Sequence, residues 1–259
     1  MSASNIEFGE NIDFSIKKRF GIIKLNRPEK ANALTPEMVK NLRNAIVFCQ
    51  ENEKIYGILL TGEGKSFTTG MDMNSIDPSD NRAAREYENI AAEIAELLYN
   101  GKPTVCAING KAMGDGVAYS LCSDYRIAMK ESYFMMPEVN IGIFPGGGTV
   151  VLMTRVLGIP WTKRILMFAE KINAEQAVKI GLIDQIVDSK DDLITEAMKK
   201  VKFLSMKNRF VLNGIKLCSN HLMDKPYSEA YQIEKSFIEG WMDVSNREKF
   251  LEEFKRKLI

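Results

Sequence analysis

An apolar, β-branched run from Thr104 to Ile108 breaks into the glycine-punctuated segment Gly110-Lys-Ala-Met-Gly114-Asp-Gly116, and a helical pattern follows to about Cys122. Strand, glycine turn and helix in this order constrain the fold more than any other feature of the chain. Such a turn delivers backbone N–H groups to the mouth of a helix, where the first amides have no intrahelical acceptor and face a cleft. Farther on, a lone acid, Glu138, follows Pro137 and precedes a second glycine cluster, Pro145-Gly-Gly-Gly148. Backbone donors and one carboxylate are the minimal equipment for moving a proton beside a carbonyl whose oxygen takes up negative charge.

The rest of the chain supplies a scaffold for that turn. Ile12 to Ile16 and Gly21 to Leu25 read as a hairpin. Thr35 is placed to cap a helix that has Pro36 at its first position and runs to about Gln50. Tyr56 to Thr61 is a buried strand, Gly62 to Gly70 a loop, and Asp80 to Tyr99 an amphipathic helix with Ile90, Ile94, Leu97 and Leu98 on one face. A strand from Tyr125 to Ala128 follows the central helix. Strands alternating with helices predict an α/β fold with a parallel sheet. Past Gly148 the pattern turns helical: 150–157, 161–168, 174–180, 191–204, 208–222, 227–241 and 246–259, with one strand at 183–187 among them.

Composition narrows the function. Lys plus Arg number 35 against 34 for Asp plus Glu, so no general field favours nucleic acid or an anionic membrane. No apolar run approaches the ~20 residues of a membrane span, and the start, MSASNIEFGENID, has no basic-then-apolar layout. Cys49, Cys106, Cys122 and Cys218 lack metal-site spacing, which points to a reducing cytoplasm and to neither zinc nor a disulfide framework. His221 is the single histidine, which argues against His-based metal sites and Ser-His-Asp triads.

Seven segments, in order, resemble the enoyl-CoA hydratase/isomerase (crotonase) superfamily: Leu25 to Leu34, Lys65 to Asp72, Asn109 to Gly116, Cys122 to Ala128, Pro137 to Gly142, Pro145 to Gly148 and Ala174 to Leu182. The resemblance implies a crotonase-like ββα spiral core over 1–190 and a C-terminal helical trimerisation module over 191–259. It also implies self-association as a homotrimer or dimer of trimers, and an acyl-CoA substrate with coenzyme A as part of it rather than a separate cofactor. The oxyanion-hole N–H groups map onto Met71 and Asp115. CoA would lie along Lys30, Ala31 and Ala33 and against Thr69, Gly70, Asp72 and Met73, with Gly114 at the turn. Two-carboxylate hydratases carry a glutamate where this chain has Ala118, and other members place an aspartate at Gly146. Glu138 alone is enough for a 1,3-proton shift, so Δ3,Δ2-enoyl-CoA isomerisation is expected. Hydration with one glutamate and a non-catalytic acyl-CoA-binding homologue are the alternatives.

Several residues also have plainer readings. Family members commonly have glycine where this chain has Asp115, and a carboxylate beside a developing oxyanion must turn away or be neutralised. Its side chain is expected to be a solvated turn residue. Tyr119 is expected in the core, Asp72 on its own loop, and Asp124 as a buried acceptor between helix and strand. Arg27 and Lys30 are candidates for CoA phosphates. Phe250, Leu251 and Phe254 form an apolar face that packs on this chain or a neighbour.

Overall fold

The computed structural model describes residues 6–77, 80–243 and 245–259. The chain runs β1 (Ile12–Lys17), β2 (Phe20–Leu25), α1 (Pro36–Glu51), β3 (Gly57–Gly62), β4 (Ser66–Thr68), α2 (Asn81–Asn100), β5 (Thr104–Ile108), β6 (Lys111–Met113) and α3 (Asp115–Leu121). It continues with β7 (Tyr125–Met129), β8 (Tyr133–Met135), α4 (Thr149–Met167), β9 (Ile172–Asn173), α5 (Ala174–Lys179), β10 (Gln185–Val187), α6 (Lys190–Ser205), α7 (Arg209–His221), α8 (Tyr227–Met242) and α9 (Arg247–Leu258). Of the loops expected to shape a pocket, positions 78 and 79 lie outside the described residues, as do positions 1–5 of the N-terminal stretch read for a leader.

Two sheets carry the architecture. The larger has the order β1-β2-β3-β5-β7-β10, parallel except for the β1–β2 hairpin. The smaller has the order β4-β6-β8-β9. Each of β3, β5 and β7 leaves the large sheet for a short strand of the small one before a helix returns. This is a spiral of ββα turns. Strands β3 and β5 are buried along their whole length, as two-sided parallel strands must be. Alternation divides their side chains between two cores. Ile58, Leu60, Cys106 and Ile108 join α1 and α2 on one face, while Leu59, Val105 and Ala107 join Leu193, Ala197 and Val201 of α6 on the other.

Local chemistry sets the element boundaries. Thr35 caps α1 by accepting from Met38 N at 3.1 Å, worth about 1 kcal/mol. Asp80 caps α2, accepting from Arg82 N and Ala83 N at 3.0 Å each. The two helices expected at 150–157 and 161–168 are the halves of α4, broken at Gly158 (φ 76°), two residues before Pro160.

The small sheet was not expected. Its β4 falls in the predicted loop of 62–70 and its β6 inside the glycine segment. With two or three residues each, these strands are too short to show a period of two.

Helices α7 to α9 form a helical C-terminal module around Phe210, Leu217, Leu251 and Phe254, with Phe237 and Phe250 packed on them. The apolar face of α9 therefore packs on its own chain. Buried Lys216 of α7 ties the module to the core: its Nζ donates to Leu98 O at 2.6 Å and to Asp124 Oδ2 at 2.7 Å. Asp124 Oδ2 also accepts Thr104 N at 2.7 Å, the acceptor role read from its place between helix and strand, but the residue is exposed rather than buried, because the bonds to Thr104 and Lys216 hold it at the edge of the sheet.

Candidate active site

One wall of the site is built by the loop after β2. Ala31 and Asn32 sit at positive φ (53° and 55°), and Asn32 is fully buried. Its amide Nδ2 donates to Glu63 O at 2.9 Å and Ser66 O at 2.7 Å, while its Oδ1 accepts Arg27 N at 2.8 Å. Buried polar groups persist only when bonded in this way, so this asparagine welds the loop holding Lys30, Ala31 and Ala33 to the strand leading to Thr69. A parallel bridge pairs Leu34 with Met71, in which Leu34 N donates to Gly70 O (2.8 Å) and Asp72 N to Leu34 O (2.9 Å). That pattern turns the Met71 N–H to the opposite side, toward the Asp115 carboxyl.

Gly114 and Asp115 form the second wall. Gly114 has φ 52° and ψ −120°, a conformation for which glycine has no steric penalty. Its carbonyl accepts Val117 N and Ala118 N at 2.9 and 3.1 Å, while the Asp115 N–H, at the first helical position, has no acceptor in the helix. The walls approach closely: a Cβ built on Gly70 would lie 3.1 Å from Asp115 N, and one on Gly114 would lie 3.1 Å from Glu138 Oε1. The turn thus gathers Gly70, Met71, Gly114, Asp115 and Glu138. Ala118 is buried beside them and carries only a methyl.

The electrostatics distinguish the carboxyls. Glu138 opens a short 3-10 turn, Glu138–Ile141, and its Oε2 is buried without a hydrogen-bond partner among the described residues. Burial raises its pKa above the ordinary carboxylate range, and the nearby Asp115 adds to this against the Glu138 N–H. Asp115 is not the solvated turn residue expected. Its Oδ2 accepts from the Tyr87 hydroxyl at 2.7 Å, and burial pushes the carboxyl up to about 6. Tyr87 and Met71 N–H oppose that rise and Glu88 adds to it. Tyr87 itself stays protonated, held so by burial and by Asp115.

Tyr87 and Glu88 were missed by the sequence reading. Tyr87 lies three and seven residues before Ile90 and Ile94, so the apolar stripe of α2 extends to it, and a tyrosine on a buried stripe needs a partner for its hydroxyl. Glu88 accepts Gly147 N at 3.0 Å. A Cβ at Gly146 would stand 1.9 Å from Glu88 Oε1, so this carboxylate occupies the space a side chain there would take. Tyr119 is in the core as expected, its hydroxyl buried without a partner among the described residues.

Other expected residues divide. Arg27 is not free for a phosphate: its guanidinium donates to Asp72 Oδ2 at 2.7 Å and to Ala33 O at 2.9 Å. Asp72 also accepts Asn74 N at 3.1 Å, holding its own loop as read. Lys30 and Met73 are exposed at the rim. Burial pushes the thiols of Cys49, Cys106 and Cys122 up to about 12, which leaves them poor nucleophiles. Among the described residues no group of three His, Cys, Asp or Glu is placed to hold a metal ion, and no helix is long and apolar enough to cross a membrane.

A Met71 N–H turned to the Asp115 carboxyl, an Asp115 N–H outside the helix ladder and a partly buried Glu138 near Gly114 suit an enzyme that stabilises charge on a carbonyl oxygen while a proton moves. The chain belongs to the enoyl-CoA hydratase/isomerase family, whose sequence signature matches residues 15–258; it is an acyl-CoA enzyme of crotonase fold. It is 30% identical over 227 residues, 87% of each chain, to crotonyl-CoA hydratase of Syntrophomonas wolfei. Over 230 residues, 86% of each chain, it is 29% identical to 1,2-epoxyphenylacetyl-CoA isomerase of Escherichia coli. The crystal structure of enoyl-CoA hydratase from Bacillus anthracis superposes with a TM-score of 0.86 at 25% identity, covering 96% of this chain and 97% of that one.

Proposed function

We propose that the enzyme shifts the double bond of an enoyl-CoA between the 3 and 2 positions through a thioester enolate, with Glu138 as its acid/base. Met71 and Asp115 N–H hold the thioester oxygen, Glu138 removes a proton from one carbon, and the same carboxyl returns it to the other. The observation that carries this reading is the pairing of Glu138, whose buried Oε2 has no partner among the described residues, against the bare methyl at Ala118. Burial raises the pKa of Glu138, and base strength rises with pKa. CoA lies along Lys30, Ala31 and Ala33 and against Thr69, Gly70, Asp72 and Met73.

Hydration of a 2-enoyl-CoA is the second reading, favoured by relatives that bear the hydratase name. A paired assay on matching 2-enoyl- and 3-enoyl-CoA separates the two. Interconversion without hydroxyacyl-CoA, lost in Glu138→Gln, is the expected result; rapid hydroxyacyl-CoA formation would make hydration the correct reading. Self-association as a trimer or dimer of trimers belongs to the same proposal, supported by the exposure of Phe144 (79%) and Phe168 (76%). Light scattering after gel filtration tests it, a monomer being the contrary result.

A further inference from the structure

The side chain of Asp115 stands where negative charge is least welcome, and its surroundings say why it is tolerated. Tyr87 and Glu88 face it from α2, Tyr119 from α3, the Met71 N–H from the opposite wall, and Glu138 from the rim. No cation is among them. An ionised carboxylate there would repel both Glu138 and an enolate oxygen, whereas a carboxylic acid would repel neither. Tyr87 donates to Oδ2 at 2.7 Å, and a carboxylic acid can accept at one oxygen while its other oxygen carries a proton to donate.

We infer that Asp115 acts as a neutral acid whose side chain is a third hydrogen-bond donor to the thioester oxygen, beside the backbone N–H groups of Met71 and Asp115, with Tyr87 as its positioning residue. Before substrate binds, the carboxyl faces the Met71 N–H. The thioester oxygen then takes that N–H and receives the acid proton as a hydrogen bond. No covalent bond forms at Asp115: the proton stays on its oxygen while Glu138 takes the carbon proton and returns it. A carboxyl kept neutral by an apolar site is a competent oxyanion donor, and burial already favours the neutral form. Charge gathering on the thioester oxygen strengthens that preference.

This inference rests on the enolate reading of the site, and on neither isomerisation nor hydration in particular. The test is the pH dependence of turnover, on whichever of the two enoyl-CoA reactions the enzyme performs, for the unmodified enzyme, Asp115→Asn, Asp115→Gly and Tyr87→Phe. The unmodified enzyme should lose kcat on the alkaline side as Asp115 ionises. In Asp115→Asn the amide donates at every pH, so that limb disappears. Asp115→Gly keeps both backbone donors and loses the third, so kcat falls on the order of 100- to 1000-fold in the acid plateau with little change in KM. Tyr87→Phe removes a bond that favours the ionised form, so the limb moves to higher pH. An alkaline limb unchanged in Asp115→Asn, or a kcat in Asp115→Gly equal to the unmodified enzyme's, overturns the inference. A second readout needs no turnover: calorimetry of acetoacetyl-CoA binding near pH 7.5 in buffers of different ionisation enthalpy. Asp115→Asn should take up about one proton fewer; equal uptake refutes the neutral acid even if Glu138→Gln has already shown the isomerase reading wrong.

Discussion

Beside the loop that carries Met71, the Asp115 and Glu138 walls of the site are made differently. The Asp115 wall is continuous with the core: Gly116, Val117, Ala118 and Tyr119 are buried, and the carboxyl is reached by Tyr87 from a second helix. The Glu138 wall is a short 3-10 turn with no buried residue, ending at exposed Ile141 and followed by exposed Ile143 and Phe144. One wall holds the Asp115 N–H with the rigidity of the fold; the other offers a base and apolar surface without supporting the fold. Changes on the first wall should therefore register in stability as well as in turnover, and changes on the second in turnover alone.

The largest effect should break the second wall's chemistry and leave the first intact. Glu138→Gln is expected to lower kcat by about 10³-fold, within the range for a general acid/base. Because it removes a raised carboxylate whose buried Oε2 has no partner among the described residues, thermal unfolding should be unchanged or slightly higher. A kcat within tenfold of the unmodified enzyme's would remove Glu138 from the mechanism.

Asp115→Asn should show the opposite signature. The folded carboxyl sits at about 6 against an ordinary 3.8, so the folded state holds this proton more tightly than the unfolded chain does. Stability falls as pH rises between those values and stays lowered above them, by about 3 kcal/mol when the group is fully ionised. The amide still accepts from Tyr87 and cannot ionise. Denaturant unfolding should thus find the variant more stable by up to that amount at pH 8 and equal near pH 4; a constant difference at both would refute the shift.

Gly114→Ala tests the seam where the walls meet. The added methyl forces an alanine into a glycine conformation, at about 1–3 kcal/mol, and lies 3.1 Å from Glu138 Oε1. Both readouts should move together, with lower melting temperature and lower kcat. Loss of stability with kcat intact would show that the glutamate can give way.

The same contrast decides what the sequence could reveal. The long elements were legible because each repeats its pattern: β3 and β5 as unbroken apolar runs, α2 as a stripe, α1 from Thr35 and Pro36. Glu138 and the glycine turn were legible because their residue types are special. The small sheet was not, since two or three residues carry no period. Nor was the Tyr87–Asp115 bond, which joins residues 28 apart in sequence and depends on how α2 packs on α3. Asp115 read as a turn residue because local sequence cannot report a carboxyl's burial. Arg27 read as a phosphate partner because its ion-pair acceptor, Asp72, lies 45 residues on, beside the Leu34–Met71 bridge.

That bridge supplies the smallest of the expected effects and a test of a third region, the loop behind both walls. Arg27 and Asp72 are 17% and 12% exposed and pair at 2.7 Å. The pairing holds the Asp72 carboxyl below its ordinary 3.8, helped by Asn74 N–H and against burial. A lowered carboxyl contributes stability above its unfolded value, lost as pH falls through its folded one. Asp72→Asn should therefore cost about 1 kcal/mol at pH 7 and nothing once the parent carboxyl is protonated. Met71 forms the bridge with Leu34 and directly precedes Asp72 of the pair, so loosening the pair should displace the N–H that faces Asp115. The matching kinetic outcome is a several-fold fall in kcat, measured with saturating enoyl-CoA. If stability falls and kcat does not, the bridge alone fixes Met71, and the ion pair serves only the loop.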